Sequence, residues 1–494
     1  MMSKIVIIGS GIGGLTAGNL LAKKGHKVTI FESHRTPGGY TAGFKRKGFY
    51  FESGTLSFES SKMILKAMKD IGVLDKIDFV RQETRFISED FDCNTESYEK
   101  FKDVVYSSFL SERASLERYF FEVDKMYRAM LPFIMDEKNI VKKGLSYLVS
   151  GIKMMRIFKK YFKMNINQFT EKYFNKGTKL YRIFKSFGYP EMYASILGGA
   201  ITTLFDDYWT VKSGMQHWAD VLADNFKSLG GELLLNSSVD KILTRDGAAV
   251  GVKVNEKTYD ADYVISACDY KKTFLALLDN RSIVPDEMLD KIKVTSVSEG
   301  FFTVYLGLTL SNDKLKEFMK IPHVISLDEK EGADVHNPYD ESYFKKVSCI
   351  LYSPSLMNRA HAPKGKSSLM LQVMSPNNWM DNWGGGDSKE YKKLKEEVKN
   401  TLIEKASSII PDLKKYIEFE DAATPLTYER YTHNTNGATS AWSWNPKNQF
   451  YKNFMGSTVT TPVKNLLIGS CWATQIGGVP SAIGAAYRCM KQIK

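Results

Sequence analysis

Gly9, Gly11 and Gly14 stand at G-x-G-x-x-G spacing, and Glu32 follows eighteen residues after the last of them. Each residue type suits one part of a dinucleotide. Glycine at 9 permits a tight turn, glycine at 11 admits a pyrophosphate against the backbone, and glycine at 14 lets a helix pack close to a strand. A helix opening near Gly13 would offer free N–H groups and a positive dipole end to the phosphates. Glu32 is placed to accept hydrogen bonds from ribose hydroxyls, and its charge disfavours a 2′-phosphate. These residues need a frame, and the surrounding sequence supplies one. Residues 4–8, rich in Ile and Val, predict a buried parallel strand, 13–24 the helix after it, and 27–31 a second strand ending at the acid. With strand, helix, strand and acid in register, the segment predicts a dinucleotide site in a Rossmann-like α/β domain.

Two glycine-punctuated stretches follow, Gly38-Gly39 shortly after the acid and Phe51-Glu52-Ser53-Gly54 beyond it. On these residues the chain resembles the FAD-dependent amine oxidase and phytoene desaturase superfamily, where a paired glycine follows the ribose-binding acid and a later F-[DE]-x-G closes around the flavin. The resemblance returns at 229–239, where Val239 matches a valine flanking the adenine, and at 261–267, the strand returning to the cofactor domain. At the C-terminus, Asn465-Leu-Leu-Ile-Gly469-Ser470 precedes Ile476-Gly477-Gly478-Val479-Pro480. This is similar to the closing motif of the superfamily, a strand and glycine-rich turn leading to a helix beside the isoalloxazine. Two positions depart from it: Ser470 stands where many members carry Asp or Glu, and Ile476 replaces the first of three glycines. A serine hydroxyl can still hydrogen-bond a ribityl hydroxyl. The resemblance implies FAD, held by Gly9, Gly11, Gly13, Gly14, Glu32, Gly38, Gly39, Gly54, Val239, Gly469, Ser470, Gly477, Gly478 and Val479.

Composition narrows the partners. A chain of 494 residues can bury a large core and is expected to divide into two lobes. No run approaches the roughly 18 apolar residues of a membrane span, and the apolar N-terminus is accounted for as the first strand rather than a signal peptide. Cys93, Cys268, Cys349, Cys471 and Cys489 form no C-x-x-C pair, which suits a reducing cytoplasm and argues against a disulfide framework or a zinc site. The seven histidines are dispersed as well, so no metal is expected. The net charge of +12 is uneven: residues 142–182 carry eleven Lys or Arg, with Glu171 the only acid. Met154, Ile157, Phe158, Tyr161 and Phe162 recur on one helical face, with Lys153, Arg156, Lys159, Lys160 and Lys163 largely opposite. Such a helix is either a transient membrane-surface element drawn to anionic lipid or a cap helix whose apolar face packs on its own protein. No nucleic-acid motif accompanies the charge, so nucleic acid is not an expected partner.

The cofactor motifs lie in three separated pieces, which predicts a discontinuous FAD-binding domain of residues 1–85, 213–299 and 455–494. Residues 86–212, mostly helical in pattern, and 300–454, with strands near 300–307, 347–352 and 368–374, then form a mixed-sheet and helical substrate domain. Within it, Ala423-Thr424-Pro425-x-Thr427-x-x-Arg430-Tyr431 resembles a stretch of the branch that holds bacterial phytoene desaturases, carotenoid cis–trans isomerases and retinol saturases. It is expected to be a strand-to-loop passage lining a substrate tunnel. Glu429, Arg430 and His433 would polarise a substrate or shuttle a proton there, unless Glu429 and Arg430 form an ion pair holding the lobes together. Aromatic residues between Phe184 and Trp209 are candidates for the tunnel wall or for ordinary core. The resemblance implies hydride transfer between flavin N5 and a long apolar unsaturated molecule (carotenoid, retinoid or fatty-acyl-like), giving desaturation, saturation or double-bond isomerisation. Two alternatives stay open: a flavin amine oxidase, and a non-catalytic flavin-binding protein associated with membranes.

Overall fold

The computed structural model describes residues 2–94, 97–134, 140–452 and 456–493; the expected boundary at 455 and the side chains of Lys142 and Lys143 lie outside that set. Lys4–Ile8 forms a strand whose last four residues are buried, because it lies in the middle of a parallel sheet covered on both faces. The strand order is Leu466–Ile468, Tyr263–Ser266, Lys4–Ile8, Lys27–Phe31 and Glu232–Leu234, and every pairing is parallel. Three distant pieces of chain thus build one sheet. Helix Ile12–Lys23 packs on both Met215–Ser228 and Val479–Gln492. Its approach to the sheet is close: a Cβ on Gly18 would stand 2.7 Å from the Ile30 methyl.

A second, seven-stranded sheet runs in the order Ile417–Ala423, Gly300–Leu308, Ser367–Ser375, Cys349–Tyr352, His323–Ser326, Arg85–Ile87 and Asp92–Asn94. Its pairings are antiparallel except that of His323–Ser326 with Arg85–Ile87. Residues on both sides of the 213–299 segment therefore share one sheet. The hairpin of Gly43–Arg46 and Phe49–Glu52 joins the two halves through an aromatic seam of Phe49, Phe51, Tyr305 and Tyr428.

Three short strands apart (Arg85–Ile87, Asp92–Asn94 and Trp209–Val211), the described residues of 86–212 are mostly helical, as expected. Helices Arg113–Ile134, Ile140–Tyr161 and Leu197–Asp206 surround a core that includes Phe101, Tyr119, Phe184 and Phe205. The passage after Ala423 differs from expectation. It is a helix, Pro425–Thr432, because Thr424 and Thr427 form a reciprocal capping box and proline occupies the first turn.

On the apolar face read from the sequence, the basic helix Ile140–Tyr161 follows the cap-helix alternative. Tyr161 is buried, with its hydroxyl donating to Glu122 at 2.7 Å, and Ile157 packs against the helical core. That face is covered by its own protein. A different stripe is open to solvent: Leu145, Leu148 and Met155 are each more than 60% exposed, with Val149 and Ile152 between them at 41% and 40%. Their i, i+3, i+4, i+7 and i+10 spacing sets them on one side of the helix.

Candidate active site

At the end of Lys4–Ile8 the chain turns sharply into helix Ile12–Lys23. Gly9 has φ +98°, a conformation that side chains resist. A Cβ on Gly14 would stand 2.1 Å from the Gly9 carbonyl oxygen, and one on Gly13 would stand 2.3 Å from that of Gly469. Those two glycines let the helix seat against the turn and the C-terminal strand. Gly11, the N-cap, is different: a Cβ there would meet no atom within 4 Å. Beyond it the helix presents its first-turn N–H groups without intrahelical acceptors. The loop carrying Gly38 and Gly39 closes one side, with Gly38 N–H donating to the Ser10 carbonyl at 3.0 Å.

Glu32 lies just past strand Lys27–Phe31 and is half-buried. Its Oε2 accepts the Ser10 N–H and hydroxyl, each at 2.8 Å, and its Oε1 accepts the His34 N–H at 2.9 Å and the Ser33 hydroxyl at 3.2 Å. The two backbone bonds aim the carboxylate at the mouth of the glycine turn. The two hydroxyl bonds are the kind that sugar hydroxyls can replace. Val239 is buried in the loop that follows Glu232–Leu234, and Ser237 N–H in that loop donates to the Glu32 carbonyl at 2.7 Å. An open concavity over Gly11, free helix N–H groups and an aimed carboxylate match a pyrophosphate and a ribose, so the residues present fit FAD.

The C-terminal motif closes the other end. Ser470 donates its hydroxyl to the Cys268 carbonyl at 2.9 Å, which leaves its oxygen able to accept. A Cβ on Gly469 would stand 2.5 Å from the Ile265 side chain, and one on Gly477 would stand 2.1 Å from the Ser440 carbonyl oxygen. Gly478, at φ +90°, caps helix Val479–Gln492 without a side-chain hydrogen bond.

A cavity of about 600 Å³, with Gly478 and Val479 in its wall, lies between residues of the seven-stranded sheet and of the helices. Tyr40, Gly54, Phe187, Tyr189, Tyr208, Phe301, Ile350, Val373 and Trp444 are among its walls. Of the aromatics singled out in the sequence, Phe187, Tyr189 and Tyr208 line it, while Phe184 and Phe205 lie in the helical core. Glu429, Arg430 and His433 are not brought to it. Glu429 faces Lys272 at 3.5 Å, the Arg430 guanidinium lies over the Tyr431 ring, and Arg430 and His433 are exposed. The ion pair at this helix is therefore Glu429–Lys272, and Tyr431 meets His34 edge-to-face beside Glu32.

Five carboxyl groups on the cavity wall escaped the sequence reading. Four are engaged by neighbours. Glu329 pairs with Lys185 at 2.6 Å, Glu191 accepts from Asn445 at 2.5 Å, Asp207 accepts the Ser61 N–H, and Asp334 accepts the His336 N–H. The fifth, Glu59, has no ion pair among the described residues. Burial pushes it up to about 7, against its own backbone N–H, which favours the charged form, and with Asp207 adding to the rise. Glu59 sits five residues beyond Gly54, past the glycine-punctuated stretch, and nothing local marks it. Glu52 is raised further, to about 8, by burial that outweighs its bonds from the Tyr50 hydroxyl and Met215 N–H.

Residues 12–493 match the family described as flavin containing amine oxidoreductase. The chain belongs to that family. It is an FAD-dependent oxidoreductase. Among curated relatives it is 28% identical over 478 residues to a 4,4′-diapophytoene desaturase (4,4′-diapolycopene-forming) of Methylomonas sp, covering 90% of this chain and 88% of that protein. It is 25% identical to prolycopene isomerase 1, chloroplastic, of an Oncidium hybrid cultivar, covering 87% of this chain and 74% of the relative. Among solved structures, a wild-type putrescine oxidase with putrescine bound superposes with a TM-score of 0.66, at 15% identity, over 100% of this chain and 99% of the other. That likeness establishes the fold. The sequence-based assignment to an FAD enzyme of the amine oxidase and phytoene desaturase superfamily agrees with these matches.

Proposed function

We propose that this flavoprotein carries out redox chemistry on a long, apolar, unsaturated molecule of carotenoid or retinoid type. The observation that carries this reading is the cavity of about 600 Å³, walled by aromatic and aliphatic side chains, which meets the glycine turn at Gly478. The desaturase and isomerase relatives support it. Residues 1–85, 213–299 and 455–494 would form the FAD-binding domain, and 86–212 and 300–454 the substrate domain. In this reading Gly11 and the first turn of helix Ile12–Lys23 take the pyrophosphate, and Gly13 and Gly14 seat that turn. Glu32 takes the adenosine ribose, Val239 flanks the adenine, and Ser470 accepts from the ribityl chain. Gly38, Gly39 and Gly54 shape the wall over the cofactor, and Gly469, Gly477, Gly478 and Val479 shape the turn beside the ring. Bound FAD supplies a hydride acceptor or donor at N5. The walls hold the chain of the substrate against that position and exclude water.

Such a substrate has negligible aqueous concentration, so it would pass to the cavity from a bilayer. The exposed stripe Leu145, Leu148, Val149, Ile152 and Met155, with exposed Lys153, Arg156, Lys159 and Lys160 on the same helix, fits an anionic membrane surface. The neighbouring helix Arg113–Ile134 contributes Met130 to the cavity wall, which links the two features.

The test is anaerobic mixing of the FAD-loaded protein, oxidised and dithionite-reduced, with 4,4′-diapophytoene, prolycopene, all-trans-retinol and putrescine. The flavin spectrum and the extracted products are followed together. Conversion of at least one lipid with no response to putrescine is expected. Reduction of the flavin by putrescine with every lipid unchanged would establish the amine oxidase alternative instead.

A further inference from the structure

We propose that Glu59 is the proton-transfer residue of this site, taking a proton from, or giving one to, the substrate carbon next to the one that exchanges hydride with the flavin. This rests on the reading of the cavity as the substrate site. Glu59 occupies the turn between Phe58, which bridges to Trp209, and helix Ser61–Ile71. Ser60 holds that turn at φ +62°, a conformation non-glycine residues seldom adopt. The turn is thus anchored at both ends, and its acid faces inward. Protein surrounds Glu59, yet it opens to the cavity, and its Oε1 lies 3.7 Å from where a Cβ on Gly478 would stand. That is the part of the cavity wall that the glycine turn forms.

The other carboxyl groups on the wall are taken up by Lys185, Asn445 or backbone N–H groups. Glu59 accepts only its own backbone N–H and has no ion pair among the described residues, and it is the one whose carboxylate oxygen lies beside Gly478. The groups acting on it are Asp207, Tyr189 and Tyr208, none of them a cation. No cation acts on it among the described residues, and burial lifts it to about 7, near neutrality. A general acid or base is most effective in that range.

The chemistry requires such a group. Desaturating a CH–CH unit removes hydride from one carbon and a proton from its neighbour. The hydride leaves with both electrons of its C–H bond and reduces the flavin. The proton passes to the Glu59 carboxylate, and the electron pair it leaves becomes the new π bond. Run in reverse, the Glu59 carboxylic acid supplies the proton as hydride adds to the adjacent carbon of a C=C bond. One residue serves both directions because a carboxyl lifted toward neutrality can hold or release the proton there.

The experiment uses FAD-loaded wild type, Glu59→Gln and Glu59→Asp, with flavin content and visible spectrum checked in each. In the infrared difference between wild type and Glu59→Gln, a protonated carboxyl band should appear and should disappear with a midpoint near pH 7, the bands of buried Glu52 and Glu299 being common to both proteins and cancelling. With whichever panel lipid reacts, Glu59→Gln should slow the flavin redox step about 10²- to 10⁴-fold, as loss of a general acid or base does. It should also abolish a pH break near 7, and Glu59→Asp should restore part of the rate. A folded, FAD-loaded Glu59→Gln protein that keeps the wild-type rate and pH break would overturn the proposal. If no panel lipid reacts with wild type, the substrate reading fails, and the infrared band then decides for Glu59 separately: a band present in wild type and lost in Glu59→Gln upholds the poised acid, and no such band overturns it.

Discussion

At the scale of single residues, the glycines of the turn separate into two kinds. Gly11 faces open space and has ordinary extended-region angles, φ −65° and ψ 175°, so a side chain there is tolerated by the fold and intolerable to a bound pyrophosphate. Gly11→Val should yield a folded protein without flavin, checked by far-ultraviolet circular dichroism beside the 450-nm-region flavin absorbance. Gly14 has no such freedom, since a Cβ would stand 2.1 Å from a backbone oxygen. Gly14→Val should lose soluble folded protein altogether. Stoichiometric FAD in folded Gly11→Val would move the phosphates elsewhere. Glu32→Ala should fold and bind FAD roughly 10- to 100-fold more weakly, because a hydrogen bond to a charged group contributes about 1.5–3 kcal/mol. Titration of the apo-protein with FAD measures it, and an unchanged affinity would place the ribose contact on another residue.

Among the elements, helix Ile140–Tyr161 makes the sharpest prediction. Its covered face is the one that meets the helical core, and its open face carries Leu145, Leu148 and Met155. Leu148→Glu/Met155→Glu should therefore abolish sedimentation with phosphatidylserine vesicles while leaving thermal stability unchanged, as both side chains are exposed. The charge reversal Lys153/Arg156/Lys159/Lys160→Glu should weaken the same binding, by about 1 kcal/mol for each cation near the surface. High salt should release the wild type in turn. Full vesicle binding by the Leu148/Met155 variant would show that this stripe is not the docking face. Helix Pro425–Thr432 has a different role: Glu429 to Lys272 and Tyr431 to His34 tie the end of the seven-stranded sheet to the nucleotide side.

For the whole molecule, buried acids set the dependence of stability on pH. Burial raises Glu52 to about 8 and Glu59 and Glu299 to about 7, from an ordinary value of 4.5. Between 4.5 and those values the unfolded chain has released these protons and the folded chain has not. The folded state then binds more protons, so stability falls as pH rises through that window. Glu122 acts in the opposite sense. Burial opposes its charge, but hydrogen bonds from Tyr161, Lys160 and Lys125 prevail and hold it at about 2, so its contribution is present above 4.5 and lost as pH falls below. The melting temperature of the FAD-loaded protein should peak near pH 5 and decline toward 8. Glu52→Gln, which keeps an oxygen for the Tyr50 hydroxyl and Met215 N–H, should flatten that decline. A melting temperature that climbs steadily from pH 5 to 8 would contradict this account.

What the sequence determined by itself was local. A strand, a glycine turn, a helix and an acid within about thirty residues need no distant partner to declare their geometry, because positive φ at Gly9 and the close approach at Gly14 are demands on residue type. Three strands of the seven-stranded sheet, Gly300–Leu308, Cys349–Tyr352 and Ser367–Ser375, were legible for the same reason, their β-branched and aromatic runs being confined to short windows, whereas the short strands Arg85–Ile87, Asp92–Asn94 and His323–Ser326 were not. Other features depended on what packs against what. Helical periodicity shows that residues 145–161 carry apolar side chains on more than one face, but only the neighbouring helices decide which face is covered. The partner of Glu429 is Lys272, 157 residues earlier, and no spacing rule reaches that far. Glu59 is the clearest case. A single acid between Phe58 and Ser60 is unremarkable in the chain, and its character comes from a cavity assembled by three separate segments that leave it without a counter-charge among the described residues.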